Sequence, residues 1–146
     1  MIKGEAQLKL KFRAMESRLL IAAQKQLSKD MPLMDGDIKE EISTGSRSGR
    51  IYSRGTVPHQ ASAPGELPKT DTGELVRGFF FDVRRAFGKV IGRLVNRSEH
   101  STYLEFKPIS DGGRPFMRPT FKKWSPRIER NVLRAVKEEI KRIARG

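Results

Sequence analysis

The sequence predicts an α+β fold, and three stretches of the 146-residue chain carry that prediction. Near both ends, apolar side chains recur at steps of three and four, which is the period of an amphipathic helix. Between them, two runs with alternating apolar residues surround a glycine, as in a β-hairpin. We therefore expect one domain over residues 1–146, with an N-terminal helix, a small antiparallel sheet with a central hairpin, an extended loop arm and a long C-terminal helix.

The N-terminal helix is predicted over residues 1–30. It should end at Met31-Pro32, because the residue before a proline is disfavoured in the helical conformation. Two interpretations stay open: the helix packs on its own domain, or it mainly contacts a neighbouring subunit. A short strand is expected at Ile38–Ser43. The apolar stripe of the helix consists of Leu8, Phe12, Met15, Leu19, Ala22 and Gln26 or Leu27.

Residues 44–72 are predicted to form an extended arm. Residues 44–54 are rich in Ser, Gly and Arg and can bury little apolar surface, so they indicate a mobile loop or hairpin arm. Residues 55–72 carry three prolines, which predict an irregular loop. After this arm, Thr72 or Asp71 is expected to cap a short helix at Leu75–Gly78.

The β-hairpin is predicted over residues 79–97, with its turn at Gly88. A short helical turn should follow in residues 98–106, and then a loop containing the turn Asp111-Gly112-Gly113. The last helix is predicted over residues 114–146. Its apolar positions are Phe121, Trp124, Ile128, Val132, Ala135 or Val136, Ile140 and Ile143.

The charge of the chain is strongly positive, at +13. From Arg114 to Gly146 there are 11 basic and 3 acidic residues, a net charge of +8. Such an excess attracts nucleic-acid phosphates, but it also suits acidic protein partners or solubility. The candidate basic surface consists of Lys122, Lys123, Arg127, Arg130, Arg134, Lys137, Lys141 and Arg142.

Catalytic motifs are missing from the sequence. It contains no cysteine, no Gly-rich phosphate loop and no nucleophile elbow. His59, Ser62 and Asp71 are the residue types of a catalytic triad. They lie in a proline-rich loop, which provides no rigid scaffold to hold them in a catalytic arrangement. His100 with Glu99 and Glu105 is better explained as a polar surface turn. We therefore expect that the chain is not an enzyme and that it has no cofactor and no metal site. We also expect no membrane span and no export signal.

Three ordered motifs resemble a known family. They are HQASAPGELPKTDTGELVRGF, then YLEF, then GRPFMRPTF. Together they resemble the tail-completion family of long-tailed bacteriophages, whose members are neck or minor tail components. The resemblance covers residues 57–146 and departs from the family at Lys107, where glycine is usual, and at Thr120, where alanine is common. The matching positions are Ala61, Ser62, Ala63, Pro64, Gly65, Glu66, Pro68, Thr70, Asp71, Thr72, Gly73, Leu75, Tyr103, Leu104, Glu105, Phe106, Arg114, Pro115, Phe116, Arg118 and Pro119.

The resemblance implies a structural virion protein that completes the tail and joins it to the head. It implies an oligomeric ring, with six copies expected, that touches the adaptor, stopper and tail terminator and is assembled in the bacterial host cytoplasm. Non-specific contact with genomic DNA is also possible. Within the same virion, a stopper, a tail terminator or a minor capsid protein is the alternative. A basic nucleic-acid-binding module is the alternative from another class.

Specific roles are expected for several motif residues. Tyr103, Leu104 and Phe106 should wedge the helical turn against the hairpin, with Phe116 on the other side. Glu105 is expected to pair with Arg114. The loop from Ala61 to Pro68 is expected to contact a neighbouring subunit of a ring; the alternative is an Ω-like loop packed on its own domain.

Overall fold

The computed structural model describes residues 4–146 and confirms the α+β fold. Residues 1–3 of the predicted N-terminal helix lie outside the described residues. A 3-10 turn covers Ile109–Asp111. The other elements are α1 (Glu5–Thr44), β1 (Ile51–Arg54), β2 (Val57–Gln60), α2 (Glu74–Arg77), β3 (Phe79–Ala86), β4 (Lys89–Asn96), α3 (Ser101–Phe106) and α4 (Met117–Arg145).

Helix α1 continues through Pro32, so the predicted end at Met31-Pro32 is wrong, and so is the predicted strand at Ile38–Ser43. A proline inside a helix costs about 3 kcal/mol, because it removes one hydrogen bond and crowds the preceding turn. The helix continues because Met34, Ile38 and Ile42, spaced by four residues, are all fully buried. Burying each such side chain contributes about 1.5–3 kcal/mol, which outweighs the proline.

The predicted arm is more ordered than expected, because β1 and β2 pair as an antiparallel hairpin within it. In this pairing Arg54 lies opposite Val57, so Gly55 and Thr56 form the two-residue turn. Gly55 has a φ of 62°, which favours glycine at the first central position of such a turn. The hairpin-arm interpretation of residues 44–54 is therefore confirmed at β1, and the expectation of an irregular loop over 55–72 is wrong at β2.

The second hairpin, β3–β4, lies where the sequence predicts it. Its turn consists of Phe87 and Gly88, with φ values of 53° and 68°. Two consecutive positive φ values are what a type I′ turn requires, and they favour Asn, Asp or Gly. Phe87 is thus a bulky residue in a backbone conformation that disfavours it.

Helix α2 starts differently from the prediction. Its N-cap is Gly73, with a φ of 78°, and neither Thr72 nor Asp71 occupies the cap position. The hydroxyl of Thr70 accepts a hydrogen bond from the amide of Gly73 at 2.9 Å. The glycine is needed because the chain reverses through the left-handed region just before the helix.

The described chain divides into two compact units. Unit 1 comprises the residues up to Met31, Asp82–Arg93 and Pro126–Gly146, and unit 2 comprises Pro32–Phe81 and Leu94–Ser125. The interpretation as one domain stays a prediction. Among the described residues, the buried apolar side chains of unit 2 are Met34, Ile38, Ile42, Leu75, Phe79, Leu94, Phe116 and Trp124, whereas unit 1 contributes Met31.

Candidate functional site

The three motif segments all belong to unit 2, where backbone and side-chain hydrogen bonds join them. Arg114 of the third motif donates from Nε and Nη2 to the carbonyl oxygen of Ser62 in the first motif, at 3.0 and 2.8 Å. Its amide donates to the carbonyl of Leu104 in the second motif at 2.9 Å. The amide of Gly65 donates to the carbonyl of Gly113, also at 2.9 Å. The motifs therefore form one connected structural cluster.

Glu66 holds the first motif loop in place. Its carboxylate accepts hydrogen bonds from the hydroxyl and amide of Ser48 and from the amide of Ala63, the last at 2.8 Å. The hydrogen bond from the Ser48 hydroxyl is the largest cause that lowers the pKa of Glu66 to about 2, followed by the two amides. The loop thus packs on its own chain, as the Ω-like alternative expects, while contact with a neighbouring subunit stays a prediction.

Glu105 caps the N-terminus of α4. Its buried carboxylate accepts the amides of Phe116 and Met117, both at 2.8 Å, and that of Arg118 at 3.1 Å. The next residue, Pro119, has no N–H, so the donors of the first turn are all accounted for. The helix dipole also favours a carboxylate at this end.

The expected Glu105–Arg114 pair is not formed. The cation that pairs with Glu105 is Arg118, whose Nε lies 3.1 Å from Oε1. Arg114 instead donates to the carbonyls of Ser62 and Gly112. The reason is geometric: α3 presents Glu105 to the start of α4, and Arg118 lies in that first turn.

The expected aromatic wedge is also wrong in part. Tyr103 and Phe106 are 57% and 70% exposed, whereas Phe116 is fully buried. Helical spacing explains the difference: α3 turns Ser101 and Glu105 inward, Leu104 is half-buried beside them, and Tyr103 and Phe106 fall on the exposed side. Phe116 packs edge-to-face on Phe79, with ring centroids 5.8 Å apart.

His59 and Asp71 do come close, beside an open cavity of about 600 Å³ that Ser62 and His100 also line. The Nδ1 of His59 is 3.9 Å from Asp71 Oδ1. The other oxygen of Asp71 accepts from Arg54 at 2.7 Å and from the Tyr52 hydroxyl at 3.3 Å. Burial, followed by the charge of Asp71, raises the pKa of Tyr52. This carboxylate is already engaged by a cation and a phenol, which suits a structural role.

Metal binding finds no support in the described part of the chain, where no group of three or more His, Asp or Glu side chains is arranged to hold an ion. The sequence grouping of His100 with Glu99 and Glu105 does not converge on a site, since Glu105 is directed at α4. Among residues 4–146, no helix is long and apolar enough to cross a membrane.

The candidate basic surface divides between the units. Lys122 and Lys123 belong to unit 2, and Lys123 pairs with Asp37 and Glu41 at 2.7 and 2.6 Å. Hydrogen bonds to these two carboxylates raise the pKa of Lys123. Lys123 is therefore engaged within its own chain. The remaining members lie in unit 1 and are Arg127, Arg130, Arg134, Lys137, Lys141 and Arg142.

The net charge is concentrated in unit 1. Its described residues include 17 lysines and arginines against 7 aspartates and glutamates, a net charge of +10. Unit 2 has 12 against 10, a net charge of +2. The positive field of the chain is thus mainly a property of unit 1.

Unit 1 also exposes apolar side chains. Leu8 and Phe12 are 54% and 56% exposed, although they belong to the apolar stripe predicted for α1. Phe87, at the hairpin turn, is fully exposed. The stripe becomes half-buried only from Met15 onward, so its first turns present an uncovered apolar face.

Two buried polar contacts had no sequence signal. Asp30 is buried in unit 1, where Asn131 donates to its Oδ1 at 2.9 Å. In unit 2 the indole N–H of Trp124 donates to Asp37 at 2.7 Å. Both pairs join α1 to α4 across more than 80 residues of sequence. The periodicity of apolar residues in the sequence predicts the apolar faces of α1 and α4, but not these polar pairs.

Comparison of the chain with profiles of known protein families, with curated proteins and with solved structures finds no match. The resemblance to the tail-completion family therefore depends on the three motifs themselves.

Proposed function

We propose that this chain is a structural component of a bacteriophage neck, which completes the tail and joins it to the head as part of an oligomeric ring. The proposal begins from the three motifs and their order. Their hydrogen-bonded convergence in unit 2 supports it, because residues that share one structural cluster are expected to occur together in a family pattern. A ring of six copies is part of the proposal and comes from the resemblance.

The observation that carries assembly is the exposed apolar stripe at the start of α1. Leu8 and Phe12 lie one helical turn apart on α1 and are each more than half exposed. Burying two such side chains at an interface contributes about 2–4 kcal/mol, enough to matter for association. We assign this face to contact with a second copy of the chain, and we place the adaptor, stopper and tail terminator among the further partners.

The proposed place in the virion is tested with a nonsense mutation in the gene of the phage that encodes the chain. We expect DNA-filled heads and separate tails that fail to join, visible by negative-stain electron microscopy, with infectivity restored by the gene supplied in trans. Missing or empty heads would favour the minor capsid alternative. Tails of irregular length would favour a terminator, and normal particles would contradict any neck role.

The proposed contact between copies is tested on the purified full chain. The double variant Leu8→Ser/Phe12→Ser removes the exposed stripe, and Leu10→Ser/Ile21→Ser removes two apolar residues of similar exposure from the opposite face of α1. We expect sedimentation velocity to show weaker association for the first variant alone. Unchanged association of Leu8→Ser/Phe12→Ser would contradict the assigned contact, and equal loss in both variants would contradict its location.

A further inference from the structure

Five cations form a line along one face of α4, which we call the basic ridge. Their spacing is four, three, four and four residues, so on an α-helix they fall within an arc of about 80° and span about 22 Å. All five side chains are exposed. The basic ridge consists of Arg130, Arg134, Lys137, Lys141 and Arg145.

The opposite face of α4 is the one that packs within unit 1. Asn131 of that face bonds to Asp30, and Glu139 pairs with Arg18 at 2.7 Å. Both contacts are with α1. The basic ridge is therefore turned away from α1, and its cations do not stabilise the helix pair.

Most of the ridge charge is not neutralised by the chain itself. Within the part of the chain that the structure describes, Lys141 pairs with Glu138 at 2.8 Å, whereas Arg130, Arg134 and Lys137 form no ion pair. The pKa of Glu138 is lowered, first by its hydrogen bond from Lys141 and also by the charges of Arg142 and Arg145. Cations crowded on one face repel one another by a few tenths of a kcal/mol per pair, so the ridge disfavours the isolated helix.

A long, regular polyanion fits this arrangement. Duplex DNA carries one negative charge for about every 1.7 Å of its axis, so the ridge can face several phosphates at once. Three of the five cations are arginines, which can bind phosphate oxygens in a bidentate manner. No aromatic side chain is interleaved with them on α4, so the arrangement offers no base stacking and no sequence readout.

A second copy of the chain does not offer a comparable partner. Two of its apolar grooves carry lysines at the rim, Lys107 and Lys122 in one and Lys11 in another. With a net charge of +13, a second copy is a poorer counterion for the ridge than a polyanion is.

We propose that the basic ridge of α4 binds the phosphate backbone of duplex DNA without sequence preference. This inference is independent of the neck proposal. The DNA-binding surface lies in unit 1, and binding of DNA by the basic ridge does not require that the chain forms a ring.

The test measures the binding of the purified full chain to a fluorescent 25-base-pair duplex of arbitrary sequence by anisotropy, over a series of salt concentrations. A ridge that meets five phosphates gives a slope of log K against log salt of about −4.5. The variant Arg134→Gln/Lys137→Gln should reduce the magnitude of this slope by about 1.8, since two phosphate contacts are lost. An unlabelled duplex of different sequence should compete equally well.

The matched control is Arg50→Gln/Lys122→Gln, which removes the same charge from two exposed cations of unit 2. We expect its slope to stay near that of the unchanged chain. An equal loss in both variants would show that only net charge matters and would overturn the ridge. Absence of binding at 50 mM salt, with normal circular dichroism, would overturn DNA binding altogether. Equal competition by polyglutamate at matched charge would instead assign the ridge to an acidic protein.

Discussion

Unit 2 and unit 1 differ in both burial and charge. Unit 2 encloses most of the buried apolar side chains, contains the three motif segments and is close to neutral, whereas unit 1 is strongly basic and, among the described residues, fully buries only Met31 of its apolar side chains; both units leave large apolar side chains exposed. Intrachain contacts therefore account for the stability of unit 2 more fully than for that of unit 1. Unit 1 is therefore the unit whose charge favours a polyanionic partner, while Glu66, Glu105 and Arg114 of unit 2 hold their motif segments together.

The largest effect should come from the core of unit 2. Replacing Phe116, which is fully buried against Phe79, by alanine should lower the free energy of unfolding by about 3–5 kcal/mol. The matched change in unit 1, Leu133→Ala, truncates a half-exposed side chain and should cost less than about 1 kcal/mol. Urea denaturation followed by circular dichroism compares the two. Equal losses of unfolding free energy in the two variants would contradict the difference in core packing between the units.

Removing the cap of α4 should have the next largest effect. Glu105→Ala leaves the amides of Phe116, Met117 and Arg118 without their acceptor, and losing a buried, charge-assisted partner of this kind costs about 3 kcal/mol. Glu105→Gln keeps one acceptor oxygen and should lose less. The same urea titrations measure both variants, with Glu99→Ala as an exposed acidic control. A cost below 1 kcal/mol for Glu105→Ala would mean that water replaces the carboxylate.

Glu105 also shows how far the sequence could predict the site. The sequence predicts a helical turn around Glu105 and a last helix from residue 114 onward, and the structure has both, with α4 starting at Met117. The predicted partner of Glu105, Arg114, is wrong, because nothing in a linear pattern states that α3 delivers its carboxylate to the first turn of α4. The aromatic neighbours, Tyr103 and Phe106, were misplaced for the same reason: the orientation of a six-residue helix depends on what it packs against.

The fold was predictable where periodicity is regular and was missed where one residue type was given too much weight. The steps of Phe121, Trp124 and Ile128 predicted α4 correctly, although Pro126 lies inside it. Pro32 predicts the end of a helix, yet the four-residue spacing of the apolar residues after it indicates a helix just as well. The two units could not be foreseen, because unit 1 combines segments from three distant parts of the chain.

The turn of the second hairpin should give a smaller effect of opposite sign. Phe87 is fully exposed and has a φ of 53°, so it gains nothing from burial and occupies a disfavoured conformation. Phe87→Asn should therefore raise the free energy of unfolding by about 1 kcal/mol. Thermal unfolding compares it with Phe81→Asn, a change on β3 at a residue with ordinary backbone geometry. A destabilised Phe87→Asn would mean that the ring makes contacts in solution and would contradict its full exposure.

The smallest expected effect is local and concerns the first motif loop in unit 2. Because the pKa of Glu66 is about 2 in the folded chain, below its ordinary value of 4.5, its stabilising contribution is present above about pH 4.5 and is lost as the pH falls through 2. A carboxyl-carbon NMR titration of Glu66 should show a midpoint near pH 2. Ser48→Ala removes the largest cause of the shift and should move the midpoint upward, whereas Ser53→Ala, on the neighbouring hairpin, should leave it in place. A midpoint near 4.5 in the unchanged chain would show that the loop is open in solution. The loop would then be available to a neighbouring subunit, and the assignment of intrachain contacts to unit 2 would have to exclude it.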